Sequence, residues 1–413
     1  MQKKIIFGIR LHMNEYCLGP IDEILPLCDL PNTGHIEDQK IKILKNGYIH
    51  VKNGKIESFK KKSIPTIPPP KKCVALPAFI DAHTHICYAG SRARDFADRL
   101  NRIEYQEILA RGGGIHDTVA HTQLASQDEL TKNILKHCKA LLSWGVLTCE
   151  VKSGYGLSVE HELKMLRSIK EANHQTPVEL IPTCLAAHVP PKNTLPEVYL
   201  KDIIKDLFPL LIKEKLSQRI DIFIEENAFP VELARTYLKK AKEIGFILTI
   251  HADQFSRGGV ALACEVGAIS AEHLEASNDK DLIKMKKSNV TPVVLPGASI
   301  GLGMPYAPAG KILDHNLPLV LASDWNPGSA PMGDLLTQTS LIAASEKLST
   351  AEAFTAITSR PAKLLNLNKG ILKPGYDADF LLFPCNDYRE ILYSQGRLKP
   401  IAVYSKGSLV YEK

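Results

Sequence analysis

Two histidines one residue apart, His83 and His85, close the apolar stretch Leu76-Pro-Ala-Phe-Ile-Asp-Ala-His-Thr-His85. If that stretch is a strand, alternate side chains share a face, and Asp81, His83 and His85 point the same way. Two imidazoles fixed side by side make a pincer for a borderline metal ion. The pair alone is weak evidence, since two surface histidines on an edge strand have the same spacing. Two later stretches, Thr249-Ile-His251-Ala-Asp253 and Leu319-Val-Leu-Ala-Ser-Asp324, have the apolar run and polar end needed to complete a site.

Such residues need a rigid frame. Eight apolar segments, near 78–84, 146–152, 179–185, 220–225, 247–251, 269–273, 291–295 and 318–323, read as strands followed by loops and helical periodicity. Helices are clearest at 129–143, 160–172, 231–244 and 334–346, and Gly145 and Gly245 sit where helices stop. Eight β–α units predict an α/β fold, a (β/α)8 TIM-like barrel rather than a doubly wound sheet. In that architecture functional groups come from the C-terminal strand ends. His83 and His85 end the first strand, Tyr155 follows the second and His188 the third. His251 ends the fifth, His273 the sixth and Asp324 the eighth.

The flanks read as β. Residues 1–62 alternate in polarity and carry an Asn53-Gly54 hairpin turn, and a proline-rich stretch, Ile64 to Pro70, reads as a stiff linker. The β signal returns at Gly375–Phe383 and Ile401–Val410. Neither end has enough apolar surface to stand alone, so both are expected to pair into one small discontinuous β-sandwich. The expected spans are 1–70 and 369–413 for the sandwich and 71–368 for the barrel.

Bulk properties exclude several classes. The net charge is +6, but Lys and Arg are dispersed and only residues 60–62 form a basic run, which argues against a nucleic-acid surface. Nine cysteines without a Cys-x-x-Cys pair argue for reduced thiols and a cytoplasmic location. Met1–Ile9 reads as neither a secretory signal nor a membrane span. Arg111-Gly-Gly-Gly-Ile115 lacks the preceding strand and following Lys-Ser/Thr of a phosphate loop. His12, His35, His137 and His174 read as surface or packing residues.

The order of His-x-His, later His and final Asp resembles the amidohydrolase superfamily. Ser153-Gly-Tyr-Gly-Leu, His251-Ala-Asp-Gln-Phe, Ser270-Ala-Glu-His-Leu, Leu295-Pro-Gly-Ala and Ser323-Asp-Trp-Asn-Pro-Gly-Ser narrow the resemblance to the imidazolonepropionase family, from about residue 40 onward. The resemblance implies metal ligation by His83, His85, His251 and Asp324, and this donor set suits one Zn²⁺ or Fe²⁺/Fe³⁺ ion per subunit. Two-metal amidohydrolases usually carry a bridging lysine on the fourth strand, and Ile222-Phe-Ile-Glu225 has none.

It further implies a metal-dependent cyclic amidase acting on an anionic imidazolone propionate, a small-molecule substrate. Asp324 would move the proton and His273 would bond the oxyanion. Arg92 would grip the propionate, with Arg94 as its rival. Tyr155, His188, Asn326, Gly328 and Ser329 match positions that hold substrate or product, and the Pro327-Gly328 turn offers N–H groups to an anion. Gln254, where relatives carry Glu or Gln, can orient the ring but cannot act as a base. The resemblance admits a homodimer and places the Gly112–Gly114 loop near the site. One departure is Pro305–Lys311, where many relatives have an arginine. The alternatives are a nucleobase-type deaminase on the same barrel and a non-catalytic scaffold. A deaminase would need an acid where Gln254 stands, and a scaffold would have lost a ligand.

Overall fold

A computed structural model describes residues 14–104, 107–108, 111–226 and 228–413; Met1–Ile9 and His12 lie outside that range. The chain opens with β1 (Glu15–Ile24), antiparallel to β2 (Leu44–Lys52), which turns back into β3 (Lys55–Ser58). The turn residues Asn53 and Gly54 both have positive φ, 49° and 76°. A type I′ turn demands that pair, and Asn-Gly supplies it at low steric cost. The proline-rich stretch adds a two-residue strand, β4 (Thr66–Ile67), parallel to β1, and β5 (Val74–Pro77) pairs with β1 further along.

Eight parallel strands follow. They are β6 (Phe79–Asp81), β7 (Val146–Lys152), β8 (Glu179–Ala187), β9 (Arg219–Ile222), β10 (Ile247–Ala252), β11 (Ser270–His273), β12 (Thr291–Val294) and β13 (Val320–Leu321). Each pairs with the next in sequence order. Helices cover the strands from outside, which is why the strands are apolar nearly throughout. The helix Gln127–Trp144 starts at a Ser126/Glu129 capping box and stops at Gly145, and Val231–Ile244 stops at Gly245. Both glycines are left-handed, at φ 90° and 104°, which ends a helix without a Cβ clash.

The ring closes just beyond the paired ends of its first and last strands. Asp324 N–H donates to the His83 carbonyl (3.0 Å) and His85 N–H to the Trp325 carbonyl (2.9 Å), with Ser323 N–H donating to the Asp81 carboxylate (2.9 Å). His83, His85 and Asp324 therefore lie past the regular pairing rather than within it. Asp324 has φ 51°, a left-handed value that a strand cannot continue through.

The C-terminal strands β14 (Phe380–Phe383), β15 (Ala402–Ser405) and β16 (Ser408–Glu412) return to the first sheet. β14 runs antiparallel to β5, so both flanks share one mixed sheet in the order β16-β15-β14-β5-β1-β2-β3. It has its own core, in which Leu18, Ile21 and Ile49 pack with Leu382, and Phe380 stacks on Tyr404 at 4.5 Å. All nine cysteines are free and seven are buried. Among the described residues no helix is long and apolar enough to cross a membrane.

One of the histidines first read as surface or packing joins the N-terminal segment to the barrel. His35 Nε2 faces Asp314 at 3.0 Å and Nδ1 faces Glu352 at 2.9 Å. The Asp314 bond, aided by Glu352, raises the His35 pKa against a smaller opposing effect of burial. A raised folded-state pKa adds stability that is complete below the unfolded value and lost as pH rises through the folded one. His35→Gln is therefore expected to lower the melting temperature at pH ~5.5 and to have little effect at pH ~9. The half-exposed ring keeps the effect to a few degrees at most. Equal losses at both pH values in thermal scans would refute the ion pair.

Candidate active site

Four donor atoms converge at the closing seam. His83 Nε2 lies 3.1 Å from His85 Nε2, which lies 3.3 Å from His251 Nε2. Asp324 Oδ1 is 3.4 Å from His83 Nε2 and 3.3 Å from His85 Nε2. All four residues are buried.

The other ring nitrogens fix the tautomers. His83 Nδ1 bonds Glu272 Oε2, and His251 Nδ1 lies 3.0 Å from Asp221 Oδ2. A carboxylate can only accept, so a hydrogen on each Nδ1 lets each Nε2 turn a lone pair inward once the ring is neutral. Against the effect of burial, Glu272 and Asp324 raise the His83 pKa to about 9, so without a cation that ring also holds a proton on Nε2. Burial holds His251 down to about 4, keeping it neutral. Nitrogen donors this close to one another need a proton or a metal cation among them. Donors bound to tetrahedral Zn²⁺ at about 2.0–2.1 Å lie about 3.3–3.4 Å apart. The observed spacing fits that requirement, and the residues present can hold a divalent metal.

Burial pushes the Asp324 carboxyl up, but its bonds to His83 and His85 overcome this and hold it well below the usual range. Its second oxygen, Oδ2, accepts a long bond from Ser329 Oγ (3.4 Å), and Asp324 lines the cavity over the centre. His273, buried at the end of β11, stands beside His83 and His251. Its φ of 91°, followed by 75° at Leu274, is a strained pair for residues with side chains. Its ring centroid lies 5.3 Å from that of His251.

A cavity of about 1150 Å³ opens over this centre, lined in part by Arg92, Tyr155, His188, Gln254, His273, Asn326, Gly328 and Ser329. Each position has a local cause. Glu162, fully buried, accepts N–H bonds from Gly154 (3.0 Å), Gly156 (2.7 Å) and Leu157 (3.0 Å), so its carboxylate shapes the loop that presents Tyr155. Gly154 has φ 114°, and a Cβ there would meet the Leu185 carbonyl at 2.9 Å. His188 Nδ1 donates to the Gly154 carbonyl (3.1 Å), leaving Nε2 as an acceptor, and burial holds the ring neutral, down to about 3. Glu225 accepts from Phe255 N–H (2.9 Å) and Ser256 N–H (3.1 Å) and so anchors the residues after Gln254.

Arg92 reaches the cavity with its Nε on Asp95 Oδ2 (2.5 Å), and the same oxygen accepts Gly114 N–H (2.8 Å). Asp95 thus ties the arginine to the glycine loop, whose neighbours Ile115 and His116 line the cavity mouth as the resemblance implied. Arg94 is exposed and does not line the cavity.

One expectation is overturned. The N–H groups of Gly328 and Ser329 are not offered to an anion, because both donate to Asn326 Oδ1 at 2.8 Å. The Asn326 amide nitrogen is engaged as well, by the Asp324 carbonyl (2.6 Å) and Ser329 Oγ (2.9 Å). The next helix starts only at Leu335, capped by Asp334. An Asx turn at Asn326 had first claim on these groups.

Sequence reasoning missed Asp221, Glu272 and Arg99. The first two carried a signal, a charged residue inside an apolar strand. Arg99, which donates to the Gly301 and Gly328 carbonyls (both 3.2 Å), carried none.

Fold and donor set together define a hydrolase of the amidohydrolase type, and the model of the amidohydrolase family matches residues 74–410. The chain is 39% identical to an imidazolonepropionase of Solibacter usitatus over 82% of this chain and 83% of that one. It is 37% identical to one of Christiangramia forsetii over 91% and 94%. The chain belongs to the imidazolonepropionase family. Among solved structures, a guanine deaminase from C. acetobutylicum with bound guanine superposes with a TM-score of 0.66 at 17% identity, covering 96% of this chain and 100% of that one. A zinc complex of atrazine chlorohydrolase from Arthrobacter aurescens gives 0.67 at 13%, covering 96% and 95%. At such identities these two share the fold.

Proposed function

We propose that this protein is a cyclic amidase that hydrolyses the ring C–N amide bond of 4-imidazolone-5-propanoate, giving N-formimidoyl-L-glutamate in histidine degradation. The observation that carries the reading is the inward-facing donor set of His83, His85, His251 and Asp324 beneath a cavity containing Arg92, in a chain of this family. We read the cofactor as one zinc or iron ion per subunit, held by those four residues. When bound, the ion supplies Lewis acidity toward the ring carbonyl and lowers the pKa of water.

The remaining steps fall to side chains. Hydrolysis adds the water oxygen to the ring carbonyl carbon, breaks the C–N bond and moves a proton from the water to the ring nitrogen. Asp324 Oδ2, the second oxygen of a carboxylate whose Oδ1 faces the imidazoles, takes that proton and delivers it to the leaving nitrogen. His273 donates to the developing oxyanion. Gln254, His188 and Tyr155 orient the ring through neutral hydrogen bonds. Arg92, steadied by Asp95, takes the propionate in a two-point grip.

The test is an assay of purified protein with imidazolonepropanoate, followed by loss of ring absorbance. Turnover is expected, is lost on exhaustive chelation, and returns with Zn²⁺ or Fe²⁺. Absence of turnover in metal-replete protein refutes the reading.

A further inference from the structure

Beneath the donor set lies a second cluster of charge. Lys152, fully buried at the end of β7, places its Nζ 2.8 Å from Asp221 Oδ2, 3.0 Å from Glu272 Oε2 and 3.0 Å from Glu150 Oε1. All three carboxylates are buried. Two of them are the partners of His251 and His83, and the oxygens that meet the ammonium are the ones that face the imidazoles. Asp221, His251 and Glu272 also bring ligand-type atoms within 4.8 Å of one another, so the group has the composition of a cation site. The lysine ammonium already stands among its carboxylates.

We propose that Lys152 is the positioning residue of the metal centre. Its ammonium clamps Asp221 and Glu272 together, and through them aims His251 Nε2 and His83 Nε2 at a single ion. Three carboxylates packed in an apolar barrel repel one another and cannot keep one geometry without a counter-charge. A lysine carries that charge on a fixed strand, donating to Glu150 Oε1 and standing at ion-pair distance from Asp221 and Glu272. The same ammonium stands where an ion held by Asp221, His251 and Glu272 would have to lie. Glu150 is the informative member, because it touches Lys152 but neither Asp221 nor Glu272 depends on it for a histidine contact.

This inference rests on the metal-binding reading above, and the experiment separates the two. Wild-type protein, stripped and titrated with Zn²⁺ against a competing chelator, is expected to bind one ion. Failure to bind any overturns the metal reading itself, and binding of two overturns its single-ion form. Lys152→Met is expected to weaken Zn²⁺ binding by about 10- to 100-fold, the usual cost of losing support behind metal ligands. It is also expected to change the visible spectrum of the Co²⁺-loaded protein, which reports ligand geometry. Glu150→Gln disturbs the same buried cluster but leaves Lys152 on Asp221 and Glu272, and is expected to keep wild-type affinity and spectrum.

If Lys152→Met does not fold, the double variant Lys152→Gln/Glu150→Gln removes one charge of each sign and is expected to show the same loss. Wild-type affinity in either folded lysine variant overturns the proposal. So does an equal loss in Glu150→Gln, which would mark general damage to the core.

Discussion

Asp324→Asn is expected to reduce turnover by about three to four orders of magnitude while the protein stays folded. The amide is nearly isosteric, and the backbone bond from Asp324 N–H to the His83 carbonyl does not depend on the side chain. The change removes the carboxylate proposed to take a proton from water. It also weakens a metal donor, so kcat must be measured at saturating metal, beside metal content and melting temperature. Near-normal kcat in a metal-replete, folded variant would remove Asp324 from proton transfer and leave it a ligand only. Binding of substrate should persist, because the groups proposed to hold ring and tail lie on other loops.

Arg92→Ala is expected to act on the other side of the kinetic split. Loss of a charge-assisted pair corresponds to roughly 1.5–3 kcal/mol, or about 10- to 100-fold in KM. The structure adds a second cost. Asp95, buried and bonded to both Arg92 and Gly114, would lose its nearer cation and keep only the more distant Arg94 at 3.8 Å, leaving a less compensated carboxylate close to where the substrate carboxylate is proposed to sit. Arg92→Lys keeps the charge but not the fork, and should fall between wild type and Arg92→Ala. Arg94→Ala, on an exposed side chain, should leave KM unchanged. An unmoved KM in Arg92→Ala would shift the anion clamp elsewhere in the cavity.

Much of the molecule could be read from its residues because each local signal agreed with the global arrangement. Apolar runs marked all eight barrel strands, and Asn53-Gly54, Gly145 and Gly245 marked real changes of direction. The four converging donors, proposed to hold the metal, were legible because His and Asp are rare at the ends of such runs. What escaped is long-range and depends on partners. Asp221 and Glu272 become meaningful only when β9, β10 and β11 lie side by side and bring them to His251 and His83. The Asn326 turn was misread because its effect is to consume N–H groups that the sequence left nominally free. Glu162 and Glu225, which hold loops by accepting backbone bonds, have no periodic signature at all.

The seam has a consequence for how the protein comes into being. Its contacts join residues as much as 242 positions apart, as between Ser323 and Asp81. A growing polypeptide that has emerged from the ribosome only as far as the seventh barrel strand holds three imidazoles but not the carboxylate that completes them. A product cut short before Asp324 therefore lacks the carboxylate of the proposed centre, whose four donors assemble only when the two ends of the ring meet.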